Sequence, residues 1–391
     1  MRGRWAWFVG LCALTSSCGE SDEVSNDRAI DGPADAAAES SPDASADMEA
    51  EAISDVPDDT PTFAPGSKTV LSVENPDHKD EDPSVILAQD GTLLIAWFSE
   101  RNGNADVYVK RSKDGKSWTE TRVTNDPAGD YFPSLLQDAQ GVFHLVWFRW
   151  TAFQVGSIWH ASSQDGKTWG PEERVTNVSD VDDWTPTIAE SKAGDLLVAF
   201  ASTKRNPSAH SQLFLARKPA GQSAFAPAVE LASLSNPSQD DALPAIARTG
   251  SELALGWVRC QPGGQDPCLV ASSNLFFATS PDGTTWSAPL QITQDSPDDV
   301  VDTLPSLYPD SAGAWFLVWM SMRTGSLQAT RLPLTGVTDY PAAAQVLPVF
   351  EGYSPHVTPT PTAGVFLGVW VEQTDPSDDS KKDVFYRFFS P

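Results

Sequence analysis

DPSVILAQDGTLLIAWFSERNGNADVYVKRSKDGKSW, from Asp82 to Trp118, contains every part of a unit that recurs along the chain. A strand opened by Pro83 is followed by a turn at Asp90-Gly91, an apolar strand ending at Trp97 and a third strand. Short strands separated by turn residues are typical of an all-β protein. The repetition of this unit therefore determines the fold prediction.

Six copies of the unit align on the proline that opens the first strand. These prolines are Pro83, Pro133, Pro186, Pro244, Pro305 and Pro355, and they lie 50 to 61 residues apart. A bulky aromatic follows each one 13 to 15 residues later, namely Trp97, Trp147, Phe200, Trp257, Trp319 and Trp370. A period near 50 residues with several strands per repeat indicates a β-propeller.

We therefore predict one domain over residues 66–391, an all-β, six-bladed β-propeller with four-stranded blades. The blades lie near residues 80–124, 130–176, 183–232, 241–293, 302–348 and 352–391. The sixth repeat ends after its third strand, and residues 69–73 resemble the missing fourth strand. This N-terminal strand is predicted to complete the last blade and close the ring, which removes open sheet edges.

The N-terminus has the pattern of a bacterial export signal. A positively charged start precedes an apolar run from Trp5 to Leu14 and small residues before Cys18. These residues resemble a lipobox, in which the cysteine is lipidated, although Thr15 stands where that motif has leucine. We predict a signal peptide over 1–17, lipidation of Cys18 and attachment to a bacterial membrane in the cell envelope. Cleavage without lipidation, followed by secretion, is the alternative.

Residues 18–65 are rich in Ala, Ser, Asp, Glu and Pro, and we predict that they form a disordered acidic tether. Gly19 to Pro65 contain 14 acidic residues and one arginine, nearly half of the net charge of −27. Nucleic-acid binding requires a basic face. The charge therefore argues against nucleic acid as a partner.

Cys260 and Cys268 bracket a turn-rich loop. In an exported protein such a pair is expected to form a disulfide. No further Cys or His pair lies at a spacing that suits zinc. We predict neither a metal ion nor a cofactor.

Three repeats close their third strand with the motif S-x-D-G-x-[ST]-W, at Ser112–Trp118, Ser163–Trp169 and Ser280–Trp286. Aspartate binds backbone N–H groups of such a turn, and glycine permits a positive φ. The motif resembles the Asp-box, or BNR, repeat of the sialidase superfamily, and the resemblance covers the predicted propeller. It implies a structural role, on the face away from the active site, for Asp114, Gly115, Trp118, Asp165, Gly166, Trp169, Asp282, Gly283 and Trp286.

The resemblance also implies what a sialidase requires. Sialidases bind the substrate carboxylate with an arginine cluster and use a Tyr nucleophile, a Glu partner and an Asp acid/base. Their first arginine stands two residues before the strand-opening proline. The residues at that position here are Glu81, Tyr131, Trp184, Ala242, Thr303 and Tyr353. Since none is arginine, the sequence argues against ordinary sialidase activity.

Other residue types recur at this end of the repeat. Three residues before the proline stand Asp80, Asp130, Asp183, Asp241 and Asp302. Beside them are Glu81, Tyr131, Trp184 and Tyr353, and the loops after the second strands carry Arg149, Arg259 and Arg323. We expect these side chains around the mouth of the axial channel, where they suit a glycan. The alternative is that the aspartates tie their own turns and the aromatics pack in the core.

Three functions fit these observations. The first is a membrane-tethered monomer that binds glycan or protein ligands on its axial face without ordinary sialidase catalysis. The second is an exo-glycosidase of sialidase type with a rearranged active site, in which an aspartate of the ring is the acid/base and the three arginines replace the usual cluster. The third is a structural protein of the cell envelope.

Overall fold

The computed structural model describes residues 62–72, 78–152, 155–203, 205, 210–260, 273–293, 301–309, 315–321, 326–332, 345–346, 352–375, 377–378 and 381–390. Within these ranges the chain forms 24 β-strands and no helix. Accordingly, the described segments include no helix long and apolar enough to cross a membrane. The predicted signal peptide, Cys18 and the tether up to residue 61 lie outside the described residues.

The strands are short, and they follow one another along the chain with turns between them. In chain order they are β1 (Thr69–Val70), β2 (Asp80–Leu87), β3 (Leu93–Ser99), β4 (Asp106–Ser112), β5 (Thr119–Arg122), β6 (Gly129–Gln137), β7 (Phe143–Ala152), β8 (Val155–Ser163), β9 (Glu173–Arg174), β10 (Asp182–Glu190), β11 (Leu196–Thr203), β12 (Gln212–Lys218), β13 (Val229–Glu230), β14 (Asp241–Thr249), β15 (Glu252–Cys260), β16 (Ser273–Ser280), β17 (Leu290–Gln291), β18 (Asp302–Pro309), β19 (Trp315–Ser321), β20 (Ser326–Leu332), β21 (Gln345–Val346), β22 (Tyr353–Pro359), β23 (Phe366–Gln373) and β24 (Lys382–Phe389).

The strands assemble into an all-β, propeller-like arrangement of antiparallel four-stranded units. Four separate sheets have the orders β2-β3-β4-β5, β14-β15-β16-β17, β18-β19-β20-β21 and β1-β24-β23-β22. The remaining strands, β6 to β13, form one eight-stranded sheet. The prediction of six separate four-stranded blades is thus corrected to four separate sheets and one double-sized sheet.

The eight-stranded sheet arises from a single parallel pair. Asp182, the first residue of β10, pairs with Gly156 on β8, and the Gly156 N–H donates to the Val181 carbonyl at 3.1 Å. This contact joins the unit β6–β9 to the unit β10–β13. It forms because β8 already starts at Val155 and so reaches the beginning of β10.

The two ends of the chain meet in one sheet. β1 pairs antiparallel with β24 through Thr69↔Tyr386 and Val70↔Phe385. Just before β1, Phe63 is 3% exposed, donates its N–H to the Thr362 hydroxyl at 2.8 Å, and lies 5.0 Å from the Phe388 ring between centroids. The segment entering the fold is therefore held at the turn that precedes β23.

The core is built mainly by the second strand of each unit. All seven residues of β3 are buried, and the repeat aromatics Trp97, Trp147, Trp257 and Trp370 are fully buried. Strands covered on both faces are expected to be largely apolar, as β3 is. Burying one such large side chain stabilises the fold by roughly 1.5–3 kcal/mol.

The first strand of each unit, called here the inner strand, contains a β-bulge at its proline. β2 begins at Asp80 rather than at Pro83, and its pairing with β3 skips from Glu81 to Ser84. The residue before the proline has a positive φ in all six units, at Asp82 (52°), Phe132 (51°), Thr185 (47°), Leu243 (50°), Leu304 (52°) and Ser354 (50°). Proline cannot donate to a ladder, so a bulge accommodates it inside the strand. The predicted strand starts at the prolines were therefore too late.

Two adjacent cavities lie where the inner strands meet. The first, of about 80 Å³, is lined by residues of all six bulges, among them the prolines and the residues before them. The second, of about 380 Å³, is lined by residues further along the same strands, and His356 borders both cavities. Ligand pockets usually measure about 300–1,000 Å³. The first cavity is therefore too small for a sugar ring.

The antiparallel units define two faces. The side on which the inner strands begin is called the axial face here. Because the strands alternate in direction, the turn between the third and fourth strands lies on the opposite side, which is called the Asp-box face. Phe63 lies near Gly115 on the Asp-box face.

We expect Gly115→Ala to destabilise the fold more than Gly221→Ala, by about 1–3 kcal/mol, the usual cost of overpacking. Both glycines have a positive φ, +66° and +77°. A Cβ at Gly115 would meet the Phe388 ring, whereas a Cβ at Gly221 would meet nothing within 4 Å. Urea unfolding monitored by tryptophan fluorescence measures the difference. Equal losses would contradict the packing of Phe388 and Phe63 on this turn.

His356 makes the stability pH-dependent. Burial lowers the pKa of His356 to about 4, from an ordinary value of 6.5. The unfolded chain therefore takes up a proton before the folded chain does, and stability is lost as the pH falls from about 6.5 towards about 4. Between pH 7.5 and 4.5 the wild type should therefore lose more unfolding free energy than His356→Gln does. We expect a difference of about 1–3 kcal/mol, because the imidazole lines the cavities and its charge is partly screened there. An unchanged pH dependence in urea titrations would contradict this.

Candidate functional site

The three Asp-box turns are built alike. In each, the aspartate Oδ1 accepts the N–H groups of the second and third residues after it, at 2.7–2.9 Å. These bonds lower the pKa of Asp165 to about 2. Trp118, Trp169 and Trp286 each pack against a different buried cluster. The aspartates are thus engaged in their own turns, on the face opposite the beginnings of the inner strands.

The five repeated aspartates lie at or next to the first residue of an inner strand, and all are at most 1% exposed. The Trp97 indole N–H donates to Asp80 at 3.0 Å, and the Trp257 N–H donates to Asp241 at 3.0 Å. In the second unit, Asp130 binds the Arg149 guanidinium through both carboxylate oxygens, at 2.7 and 2.9 Å. The five carboxylates are therefore buried instead of standing open to solvent, and those of Asp80, Asp130 and Asp241 bind partners of their own unit.

The arginines are neutralised within their own units. Arg149 also binds Glu172 at 2.8 Å and Asp126 at 3.2 Å. Arg259 binds Asp241 through Nε at 2.7 Å and donates to the Leu234 carbonyl. The two guanidinium groups share no carboxylate partner among the described residues, and the predicted third member, Arg323, lies outside them.

The third unit repeats this arrangement with an arginine that sequence reasoning missed. Asp183 binds Arg205 through both carboxylate oxygens and accepts the Ser202 hydroxyl. Arg205 comes from the loop after β11, as Arg149 and Arg259 come from the ends of β7 and β15. The repeated aspartate is therefore paired with an arginine of its own unit in three of the units, at Asp130, Asp183 and Asp241.

A different cluster lies on the axial face, where β2, β22 and β24 meet. Glu81 Oε1 accepts the Tyr353 hydroxyl at 2.8 Å and lies 2.7 Å from Lys382 Nζ. The Lys382 ammonium is also 5.6 Å from the centroid of the Tyr353 ring. Glu81 is 5% exposed and Tyr353 is half-buried. The sequence suggested Glu81 and Tyr353 as candidates, but it gave no reason to select Lys382.

Asp82 supplies a second carboxyl group beside this cluster. Burial, reinforced by the neighbouring Glu81 charge, raises the pKa of Asp82 well above its ordinary value. The Ser354 hydroxyl donates to it at 3.3 Å, and both residues line the small axial cavity. Glu81 and Asp82 are thus two adjacent carboxyl groups with different partners, since Glu81 lies beside Lys382 and Asp82 accepts the Ser354 hydroxyl.

The predicted aromatics divide into two groups. Trp184 is 2% exposed and belongs to the largest core cluster, so its ring packs inside the fold. Tyr131 and Tyr353 are half-buried at the axial face. Burial, together with nearby Glu100, raises the pKa of Tyr131 to about 12, so its hydroxyl stays protonated at neutral pH.

Two further predictions are only partly covered by the structure. Cys260 is buried at the end of β15, whereas Cys268 lies outside the described residues, so the disulfide stays a prediction. Among the side chains that the structure describes, no group of three or more His, Cys, Asp or Glu could hold a metal ion.

We expect Asp130→Ala to lower the unfolding free energy by about 3 kcal/mol, because it leaves the Arg149 guanidinium, 4% exposed, without its buried partner. Glu172 stays bound to Arg149 in this variant, so the loss should lie at the lower end of the roughly 3–5 kcal/mol that breaking a buried ion pair usually costs. Asp126→Ala is the matched control, since it removes another partner of Arg149 that is 39% exposed, and it should cost less than about 1 kcal/mol. Equal urea midpoints for the two variants would contradict the structural role of Asp130.

Solved structures of similar fold include glycoside hydrolases. A protein of unknown function from Dyadobacter fermentans shares 15% identity, with a TM-score of 0.64 over 84% of this chain and 98% of that one. An α-L-arabinanase of Penicillium chrysogenum, solved with arabinobiose, shares 15% identity, with a TM-score of 0.65 over 84% and 99%. A Trypanosoma rangeli sialidase shares 11% identity, with a TM-score of 0.57 over 83% and 58%. At these identities the likeness shows the fold alone.

The comparison with curated proteins found no match for this chain. The family described as BNR repeat-like domain matches residues 58–253, half of the chain. This match agrees with the resemblance carried by the three Asp-box motifs. The chain therefore belongs to the BNR repeat-like domain family.

Proposed function

We propose that the chain is a closed, six-bladed β-propeller that binds an uncharged glycan on its axial face. The six inner strands contact one another in the cyclic order β2, β6, β10, β14, β18, β22 and back to β2. All six also line one cavity. These contacts support counting β6–β9 and β10–β13 as two blades, and they support the pairing of β1 with β24 as the closure of the ring.

The observation that supports a glycan ligand is the Glu81–Tyr353–Lys382 cluster on the axial face. A carboxylate, a phenol and an ammonium group are hydrogen-bonding partners for sugar hydroxyls, and a tyrosine ring offers an apolar face. Arginine is the preferred partner for the carboxylate of a charged sugar, because its guanidinium binds both oxygens. Arg149, Arg205 and Arg259 are each bound by carboxylates of the protein, which favours an uncharged sugar.

Hydrolysis of an uncharged glycoside is the second candidate, favoured by the hydrogen bond from Tyr353 to Glu81. In this scheme Tyr353 Oη attacks the anomeric carbon, its proton passes to Glu81, and Asp82 protonates the departing glycosidic oxygen. The raised pKa of Asp82 suits an acid that must carry a proton at neutral pH. Water then releases the sugar from Tyr353 by the reverse proton movements.

A tethered location is compatible with ligand binding. Phe63 enters the fold on the Asp-box face, beside Gly115 and Phe388. A lipid at Cys18, followed by the acidic tether, would thus join the propeller on the side opposite Glu81. The attachment point of the tether therefore leaves the axial face uncovered. A purely structural role in the envelope would leave the axial cluster without a ligand.

We expect the full chain to bind neutral glycans in preference to sialylated ones on a glycan array. Tyr353→Phe removes the hydroxyl that donates to Glu81, and it should weaken binding by roughly tenfold, the effect of about 1.4 kcal/mol. Glu252→Gln is the control, because Glu252 begins β15 on the Asp-box face and its loss changes the charge but not the site.

Thermal unfolding of both variants verifies that they are folded. An array on which the wild type binds no glycan, or binds only sialylated ones, would contradict the proposal. A panel of neutral aryl glycosides distinguishes the two candidates, since only the hydrolase releases the aryl group and loses this activity in Tyr353→Phe.

A further inference from the structure

Within the described residues, β7 continues further past its repeat aromatic than any other second strand. β7 has ten residues, and it continues to Ala152, five residues past the repeat aromatic Trp147. The described β3 and β19 have seven residues each and end two residues past their own aromatics. The additional length carries Trp150 to the axial end of the sheet.

Trp150 is the one aromatic among the large hydrophobic side chains that stand exposed in the described ranges, at 37%. Its two cross-strand partners are Gly129 on β6 and Gly156 on β8. Residues directly opposite each other normally cover one another's side chains in a sheet. Because both partners lack a side chain, the residues directly opposite Trp150 leave its indole ring uncovered.

The glycines also make room for a row of aromatic rings. A Cβ at Gly129 would fall within 2.9 Å of the Tyr131 ring, and a Cβ at Gly156 would collide with the Phe148 ring. Tyr131 lies 6.5 Å from Trp150, 6.3 Å from Phe148 and 4.9 Å from Phe98, between ring centroids. The row runs from the buried Phe98 through the half-buried Tyr131 to the exposed Trp150. Trp150 is thus backed by Tyr131, whose ring packs against Phe98 and Phe148.

The buried end of the row lies beside the axial cluster, because Phe98 is the cross-strand partner of Glu81. Tyr131 stands two residues before Pro133, in the position that Glu81 and Tyr353 occupy in their own units. The Glu81 charge is close enough to Tyr131 to contribute to its raised pKa. The indole therefore lies on the same face as the Glu81–Tyr353–Lys382 cluster, one unit away from Glu81.

Carboxylates lie at the same axial edge as Trp150 but on the other face of the sheet, because Arg149 and Trp150 are consecutive residues of β7. The neighbouring Arg149 is matched by three carboxylates, those of Asp126, Asp130 and Glu172. Asp126 and Glu172 are 39% and 31% exposed, so their charge reaches the solvent at this edge. An anionic sugar would be repelled there, whereas an uncharged ring would not.

We propose that Trp150, backed by Tyr131, is a stacking subsite for one uncharged sugar ring of an oligosaccharide, another ring of which contacts the Glu81–Tyr353–Lys382 cluster. The proposal rests on the glycan-binding function proposed above, and it adds that the ligand has at least two sugar units. An indole with an open face offers a large, rigid apolar surface for the C–H groups of a sugar ring.

Isothermal titration calorimetry of the full chain tests the subsite. The titrants are each neutral glycan that binds on the array and the single sugar unit of that glycan. Trp150→Ala should weaken oligosaccharide binding by roughly tenfold and leave binding of the single unit unchanged. Trp150→Phe should restore most of the affinity, because it restores a ring. Val229→Ala, at an exposed site on the outer strand β13, is the control and should bind like the wild type.

The outcomes separate the two proposals. If Trp150→Ala binds the oligosaccharide as tightly as the wild type does, the subsite proposal alone is overturned. The same holds if Trp150→Ala weakens the binding of the oligosaccharide and of its single sugar unit equally. A blank array for the wild type overturns the proposed function and the subsite with it. If Tyr353→Phe weakens binding and Trp150→Ala does not, the axial site is supported and the stacking subsite at Trp150 is overturned.

Discussion

One backbone constraint recurs in every unit and shapes the axial end of the molecule. Each inner strand holds a proline that cannot donate to the ladder, and the residue before it has a φ near +50°. The resulting bulge interrupts the pairing between the second residue before the proline and the residue after it. Glu81, Tyr131 and Tyr353 all stand at that second position, so the bulge sets where the candidate site lies.

The sequence pattern predicted the strands, the Asp-box turns and the meeting of the two chain ends, because these depend on local residue types at a regular period. It misplaced the strand starts, since a proline is compatible with both a first residue and a bulge. The union of two units into one sheet depends on the parallel pair between Asp182 and Gly156. No local pattern records such a pair.

The candidate site could be predicted only in part. The aspartates suggested an open carboxylate ring, yet Asp130 and Asp241 are buried against Arg149 and Arg259. The signal for this pairing is present in the sequence, because an antiparallel register puts Arg149 opposite Asp130 and Arg259 opposite Asp241. Lys382 could not be found in this way, since its contact with Glu81 joins residues about 300 positions apart.

The central claim is that the ligand binds where the inner strands begin. Hydrogen–deuterium exchange of the full chain, with and without a saturating neutral oligosaccharide from the array, tests this most directly. The account predicts slower exchange at residues 80–82, 129–132 and 352–354 and in the β7–β8 hairpin. Slower exchange at the turn Ser112 to Trp118 on the opposite face, without change at those segments, would contradict it.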